Sequence, residues 1–341
     1  MPTLNGQQDA RSTVILGDCL AEMRKMPDKS VDLVCCSPPY EAARTYGIDF
    51  ALRGQDWVDW AKERYVECLR VCKGLVCWVC EGQTRQFRYS AAPILLMADL
   101  HRAGVKLRKP PIFARVGIPG SGGPDWLRND YEFCICASHG KLPWSDNTAM
   151  GHPPKWAPGG EMSNRLSDGA RVNQWGKNGS PRGMGNKNKD GEVDGKPRPS
   201  HVFRVNERKQ NGERTATMAN GRKCDKLHTN AEPDGTMCEQ GYTVRTLANP
   251  GNIIKCIVGG GVMGHELAHE NEAPYPLSLA TFFVRSFCPP GGVVLDPFSG
   301  SGTTGHAALQ YSRRYIGIDI RESQVELTKR RLATVQPELF A

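Results

Sequence analysis

Asp296-Pro-Phe-Ser-Gly-Ser-Gly-Thr-Thr304 is the stretch that decides how this chain is read. It follows the short apolar run Val293-Val-Leu295 and precedes a helical pattern over residues 304–310, so it is predicted to be the turn between a buried strand and a helix. Gly300 and Gly302 let the backbone approach a ligand closely, and the start of the helix offers unpaired N–H groups at the positive end of its dipole. No Lys follows the glycines as in a P-loop, and the spacing is not GxGxxG, so a carboxylate or an adenosyl group fits better than a phosphate. One strand later, Tyr315-Ile-Gly-Ile-Asp319 ends in an acid placed to accept hydrogen bonds from ribose hydroxyls. A plain turn with a helix-capping acid is the alternative for Asp319 alone.

Far upstream, Val31-Asp-Leu-Val-Cys-Cys runs into Ser37-Pro38-Pro39-Tyr40, a hydrophobic strand ending in a stiff polar tetrapeptide. Two prolines fix the backbone and supply no N–H, which leaves carbonyl acceptors, the Ser37 hydroxyl and an aromatic face. That set suits an amino group. A rigid turn that merely ends a strand is the competing reading.

Between and around these motifs the texture falls into three stretches. Residues 1–141 alternate apolar runs (13–16, 31–36, 75–80, 112–116 and 131–136) with helical spacing, as over residues 56–71. Residues 142–261 turn abruptly rich in Gly, Asn, Lys, Arg, Pro and Ser, with little periodicity. Residues 262–341 return to strands and helices. Short continuous apolar runs suit a parallel sheet covered on both faces. The expected fold class is therefore α/β, a mainly parallel sheet with helices on both faces, interrupted by a loop-rich insertion at residues 142–261.

Composition narrows the function classes. Of 341 residues, 39% are hydrophobic and 23% charged, and no apolar run approaches a membrane span, so a membrane protein is not expected. The polar N-terminus lacks the pattern of a signal peptide, which points to a cytoplasmic protein. Net charge is +8, and its excess is concentrated in the middle: residues 155–255 hold 18 Lys and Arg against 11 Asp and Glu. A polyanionic partner explains that bias. Many of the 13 cysteines sit in apolar runs and read as small buried hydrophobes, the CxxC pair Cys77 and Cys80 among them, since no second pair at zinc-ribbon spacing follows. Cys224, His228 and Cys238 are three irregularly spaced candidates of the same kind. His265-Glu-Leu-Ala-His269 matches the HExxH zinc-hydrolase pattern, but flanking glycines and Pro274 and Pro276 leave little room for the helix that must present both histidines. No metal is therefore expected.

Taken together, the SPPY and DPFxGSGTT motifs, in that order with a basic insertion between them, resemble the β group of DNA amino-methyltransferases. The resemblance covers roughly the first 140 and last 80 residues. It implies a Rossmann-like methyltransferase fold with S-adenosyl-L-methionine as cofactor. Residues 1–141 would then be the catalytic part, 142–261 the target-recognition insertion and 262–341 the donor-binding part. It also implies donor contacts from Asp296, Phe298, Gly300, Gly302, Thr303 and Thr304, with Asp319 at the ribose, Asp18 and Cys19 near the adenine, and His269 with Ala273-Pro-Tyr-Pro276 closing the pocket. Ser37, Pro38, Pro39 and Tyr40 would hold the base. Arg44 and Tyr46 resemble the Arg-x-Tyr-Gly that follows the catalytic motif, and they are expected to contact DNA with Arg204 and Lys209 of the insertion. Glu132 matches only loosely the pattern in the strand behind the target base. Double-stranded DNA is the implied partner, and a homodimer and a cognate restriction endonuclease fit the same resemblance.

An exocyclic base nitrogen is a poor nucleophile because its lone pair is delocalised, and acceptors around its hydrogens favour a pyramidal form. The sulfonium donor is already activated, so positioning can carry most of the catalysis. Cysteine-based C5 methylation needs a nucleophile usually found in Pro-Cys, and the chain holds no such dipeptide. Within the resembled family, Ser in the first catalytic position leans towards cytosine N4, with adenine N6 as the alternative. A catalytically silent DNA-binding module and an RNA or protein methyltransferase are the remaining readings, and the intact motifs, Ser37 and the basic insertion weigh against both.

Overall fold

The computed structural model describes residues 11–41, 50–117, 125–153, 247–258, 263–271 and 274–338. Apolar runs become strands where the sequence places them, at β1 (Ser12–Leu16), β2 (Val31–Cys36), β3 (Cys72–Cys80), β6 (Ile112–Val116), β7 (Tyr131–Ala137), β9 (Val293–Asp296) and β10 (Arg314–Asp319), and a further strand, β8 (Ile253–Ile257), forms where no strand was expected. These eight form one sheet in the order β1-β10-β9-β2-β3-β7-β6-β8. The pairings from β1 through β3 are all parallel, β7 runs antiparallel to both its neighbours, and β8 is parallel to β6. A separate two-residue ribbon pairs β4 (Thr84–Arg85) with β5 (Arg88–Tyr89).

Among the described residues six helices cover the sheet: α1 (Cys19–Arg24), α2 (Gly54–Val71), α3 (Ala92–Arg102), α4 (Leu277–Phe287), α5 (Thr303–Gln310) and α6 (Glu322–Leu332). Alternate residues of each strand feed two separate cores. Val34, Cys36 and Trp78 pack with Met23, Trp57, Tyr65 and Leu96 of α1 to α3 on one face. Leu33, Cys35 and Cys77 pack with Leu279, Phe283 and Ala307 of α4 and α5 on the other. The fold is α/β with a mostly parallel sheet, as the sequence implies. Cys77 and Cys80, three residues apart in a strand of period two, fall into opposite cores and cannot act as one pair. All 11 described cysteines are buried and free, and burial pushes thiols such as Cys36 and Cys68 well above their ordinary pKa.

The chain divides into two compact units, residues 1–151 with 249–341, and residues 152–248. The first of these carries the sheet. The second lies almost wholly outside the described residues, apart from the antiparallel bridge between His152 and Ala248. Its limits are narrower than the insertion expected at residues 142–261. β8, counted with that insertion on texture, belongs to the sheet: its buried residues Ile254 and Cys256 alternate with exposed neighbours, the pattern of an edge strand lying inside a polar stretch.

Strand order places the site. From β9 the chain winds through α5 to β10 on one side, whereas from β2 it winds through α2 to β3 on the other, so β9 and β2 flank a topological switch point. Ligands collect outside the carboxyl ends of strands at such a point. β1, β2, β3, β9 and β10 all end on this edge, and the reversed β7 begins there.

Candidate active site

Asp296 closes β9 and is almost fully buried. One carboxylate oxygen accepts from the backbone N–H of Phe298 at 3.0 Å, the other from the Thr304 hydroxyl at 2.7 Å. Tyr275 contacts Thr304 through its own hydroxyl. Burial pushes the Asp296 carboxyl up to about 7 against the pull of these bonds, and nearby Asp319 adds to the rise. The turn then passes through the left-handed region at Gly300 (φ +52°) and Gly302 (φ +74°). From beneath, Thr328 of α6 donates to the Gly300 carbonyl at 2.8 Å, and the fully buried Arg331 donates from Nη1 to Thr303 Oγ1 at 2.8 Å and to the Ser301 carbonyl at 3.2 Å. Asp319, at the end of β10, accepts from Gly300 N at 2.8 Å and Arg321 N at 2.9 Å. Arg321 Nε also lies 3.9 Å from its Oδ1.

This loop forms one wall of a cavity of about 680 Å³. Phe298, Gly300, Thr303 and Asp319 line it, together with Gly17, Asp18 and Cys19 after β1 and the whole tetrapeptide Ser37 to Tyr40 after β2. Two motifs more than 250 residues apart thus share one chamber. Asp18 is at the same time the N-cap of α1, accepting from Ala21 N at 3.0 Å, and Arg64 lies 3.5 Å from its other oxygen. Phe298 rests edge-on against Trp78 at 5.4 Å and tilted against Trp60 at 5.8 Å, and Trp60 also reaches the cavity.

At the tetrapeptide end, the Tyr40 hydroxyl donates to Glu132 Oε2 at 2.6 Å and accepts from Ser37 Oγ at 3.3 Å. Burial, and then the Glu132 charge, raise the Tyr40 phenol far above its ordinary value. Glu132 Oε1 lies 3.3 Å from Arg115 Nη1. Burial raises the Glu132 carboxyl, while the Tyr40 bond and Arg115 oppose the rise. Trp57 Nε1 donates to the Pro39 carbonyl at 2.9 Å and so ties the tetrapeptide to α2. Beside this chain sits Glu81, 7% exposed, which follows β3. Its Oε1 accepts from the Tyr89 hydroxyl at 2.6 Å and Gly82 N at 2.8 Å, while Oε2 is buried with no hydrogen-bond partner among the described residues. Burial pushes its carboxyl upward.

Some expected contacts fall elsewhere. Asp296, Gly302 and Thr304 do not line the cavity, and their place is to shape the turn from below. His269 is exposed on a 3-10 turn (Glu266–Glu270), and Asn271 and Tyr275 line the cavity in its stead. In the HExxH segment, His265 caps this turn by accepting from Leu267 N at 3.1 Å, and no α-helix presents the two histidines together. Arg44, Tyr46, Arg204 and Lys209, and Cys224, His228 and Cys238, lie outside the described residues. Sequence reasoning missed Glu81, Arg115, Trp60 and the exposed Ile320 beside Asp319, all of which line the cavity. Glu81 carried a usable signal, an acid closing a buried strand in the manner of Asp296. Among the described residues no helix is long and apolar enough to cross a membrane.

Comparison with known proteins matches this arrangement. Over 332 residues the chain is 23% identical to the DNA adenine methyltransferase YhdJ of Escherichia coli (strain K12), covering 97% of this chain and 85% of that one. A shorter alignment, 44% identical over 64 residues, covers 19% of this chain and 23% of the type II methyltransferase M2.MboI of Moraxella bovis. Among solved structures, the PvuII DNA methyltransferase (cytosine-N4-specific) superposes with a TM-score of 0.57 at 15% identity, covering 96% of this chain and 88% of that one, a likeness of fold. The N6/N4 family model described as DNA methylase matches residues 31–330. With that match spanning most of its length, and both motif walls meeting in one cavity, the chain belongs to the DNA methylase family.

Proposed function

We propose that this enzyme transfers the methyl group of S-adenosyl-L-methionine to the exocyclic N4 of a cytosine rotated out of a DNA duplex. The observation that carries the proposal is the single cavity bounded by the glycine turn and Asp319 at one end and by Ser37, Tyr40 and Glu81 at the other. The donor fits the first end. Asp319 lines this end from the tip of β10, where a carboxylate meets ribose hydroxyls, Ile320 and Phe298 offer apolar surface to the adenine and the methionine stem, and the backbone at Gly300 permits close approach. The donor supplies an activated methyl on a sulfonium.

The base occupies the second end. Ser37 Oγ and the unpartnered Glu81 Oε2 accept from the two amino hydrogens, favouring the pyramidal nitrogen that attacks. As the new N–C bond forms, the donor's sulfur–methyl bond breaks, its electron pair stays on the sulfur of the departing thioether, and the nitrogen must shed a proton. Glu81, its carboxyl raised by burial, is the acceptor within the cavity. Tyr40 is held by Ser37 and Glu132 and offers its ring to the base. Ser37 at the first catalytic position supports N4 over N6. Adenine N6 is the second reading, favoured by the relative that aligns along nearly the whole chain and is named an adenine enzyme. Nucleoside analysis of DNA incubated with the protein and labelled donor separates them. N4-methylcytosine is expected, and N6-methyladenine would transfer the reading to the alternative.

A further inference from the structure

The β4-β5 ribbon stands on the rim of the base end of the cavity, and its tip is unusual in two independent ways. Pairing of Thr84 with Tyr89 and of Arg85 with Arg88 leaves Gln86 and Phe87 as a two-residue hairpin turn. Both take left-handed backbone conformations, φ +49° and +62°. Such a turn is cheapest with Asn-Gly or Gly-Gly, and a bulky residue there is a genuine outlier. The Phe87 side chain is also 81% exposed, so burial in the free protein does not offset the strain. Strain maintained at an exposed apolar tip points to a use.

The base of the ribbon is firmly fixed. Tyr89 donates to Glu81, Gln83 N donates to Ser90 Oγ at 3.0 Å, and Ser90 N donates to the Gln83 carbonyl at 2.8 Å. Gly82 lines the cavity at the foot of the ribbon, where a Cβ would lie 2.7 Å from the Tyr89 ring. Arg85 and Arg88 flank the tip and both are exposed, with Arg85 Nε donating to Gln83 Oε1 at 2.8 Å. An aromatic wedge between two guanidinium groups, roughly 10–15 Å of strand from the base site, has the chemistry of a group that enters a base stack while its neighbours meet phosphates.

We propose that Phe87 inserts into the DNA stack at the space left by the extruded target base, with Arg85 and Arg88 on the flanking phosphates. The inference rests on the function proposed above and assigns the ribbon the task of holding the base outside the helix. The duplex used is one carrying the site found methylated in DNA from cells expressing the protein. Methyl transfer is measured on it fully paired and with a mismatch opposite the target, which lowers the cost of extrusion. Phe87→Ala should slow transfer about tenfold on the paired duplex and regain most of that loss on the mismatched one. Phe87→Trp should stay near the unmodified enzyme, and donor affinity by titration calorimetry should be unchanged in both. An equal loss on both duplexes, or none, would overturn the wedge. So would rescue by the mismatch seen for Trp126→Ala, the exposed aromatic between β6 and β7, but not for Phe87→Ala. If the unmodified protein methylates no DNA, the function proposed above fails and this inference falls with it.

Discussion

The Tyr40 hydroxyl has one proton and gives it to Glu132, so the orientation of the ring in the base site depends on a carboxylate two strands away. Glu132 in turn has Arg115 on its other oxygen, and the series Arg115, Glu132, Tyr40, Ser37 positions the tetrapeptide from behind. Removing only the phenolic oxygen leaves Glu132 half-satisfied in a buried place. Loss of such a charge-assisted bond costs about 1.5–3 kcal/mol, so Tyr40→Phe is expected to lower kcat about 10- to 100-fold. Donor affinity should not change, because Tyr40 makes no bond to the glycine turn. A loss of donor binding as large as the loss of turnover, read by calorimetry, would contradict this division of labour.

At the scale of elements, the turn between β9 and α5 keeps its shape because α6 lies under it. Gly302 is left-handed, and a Cβ there would lie 2.9 Å from Thr328 Cγ2, on a side chain buried and tied to the Gly300 carbonyl. Gly302→Ala therefore meets both a backbone penalty and a neighbour that cannot move away. We expect a loss of about 2 kcal/mol in chemical denaturation. Weaker donor binding should accompany it, since Gly300 and Thr303 on the cavity wall would shift with the turn. Unchanged stability would show that α6 yields readily and that the clamp is not rigid.

For the whole molecule, the sheet-bearing unit holds the cavity and the basic excess lies mainly outside it, in residues 155–255. Contacts to phosphates release counterions, so DNA affinity should fall steeply with salt, by about 10³ or more between 50 and 200 mM if six or more phosphates are met. Deleting residues 159–217 should flatten that dependence and abolish site-specific methylation. Donor binding should survive, because the glycine turn and Asp319 belong to the sheet-bearing unit, outside the deleted stretch. A deleted protein that methylates the same site with the same salt dependence would place recognition elsewhere.

Local chemistry made much of this legible in the sequence. Continuous apolar runs such as residues 33–36 and 75–80 lie in strands where expected, because a strand buried on both faces cannot disguise its hydrophobicity. The glycine turn and the stiff tetrapeptide announced themselves because their backbones need particular residues. What the sequence could not order was anything decided across strands. The edge strand β8 was hidden in polar surroundings, since its alternation matters only once β6 is beside it. Glu132 matched its pattern loosely yet holds Tyr40, and Asp296 matched its pattern well yet lies beneath the cavity wall. Motif spacing fixes which residues meet the ligand region, but burial and pairing between distant strands decide which atoms face it.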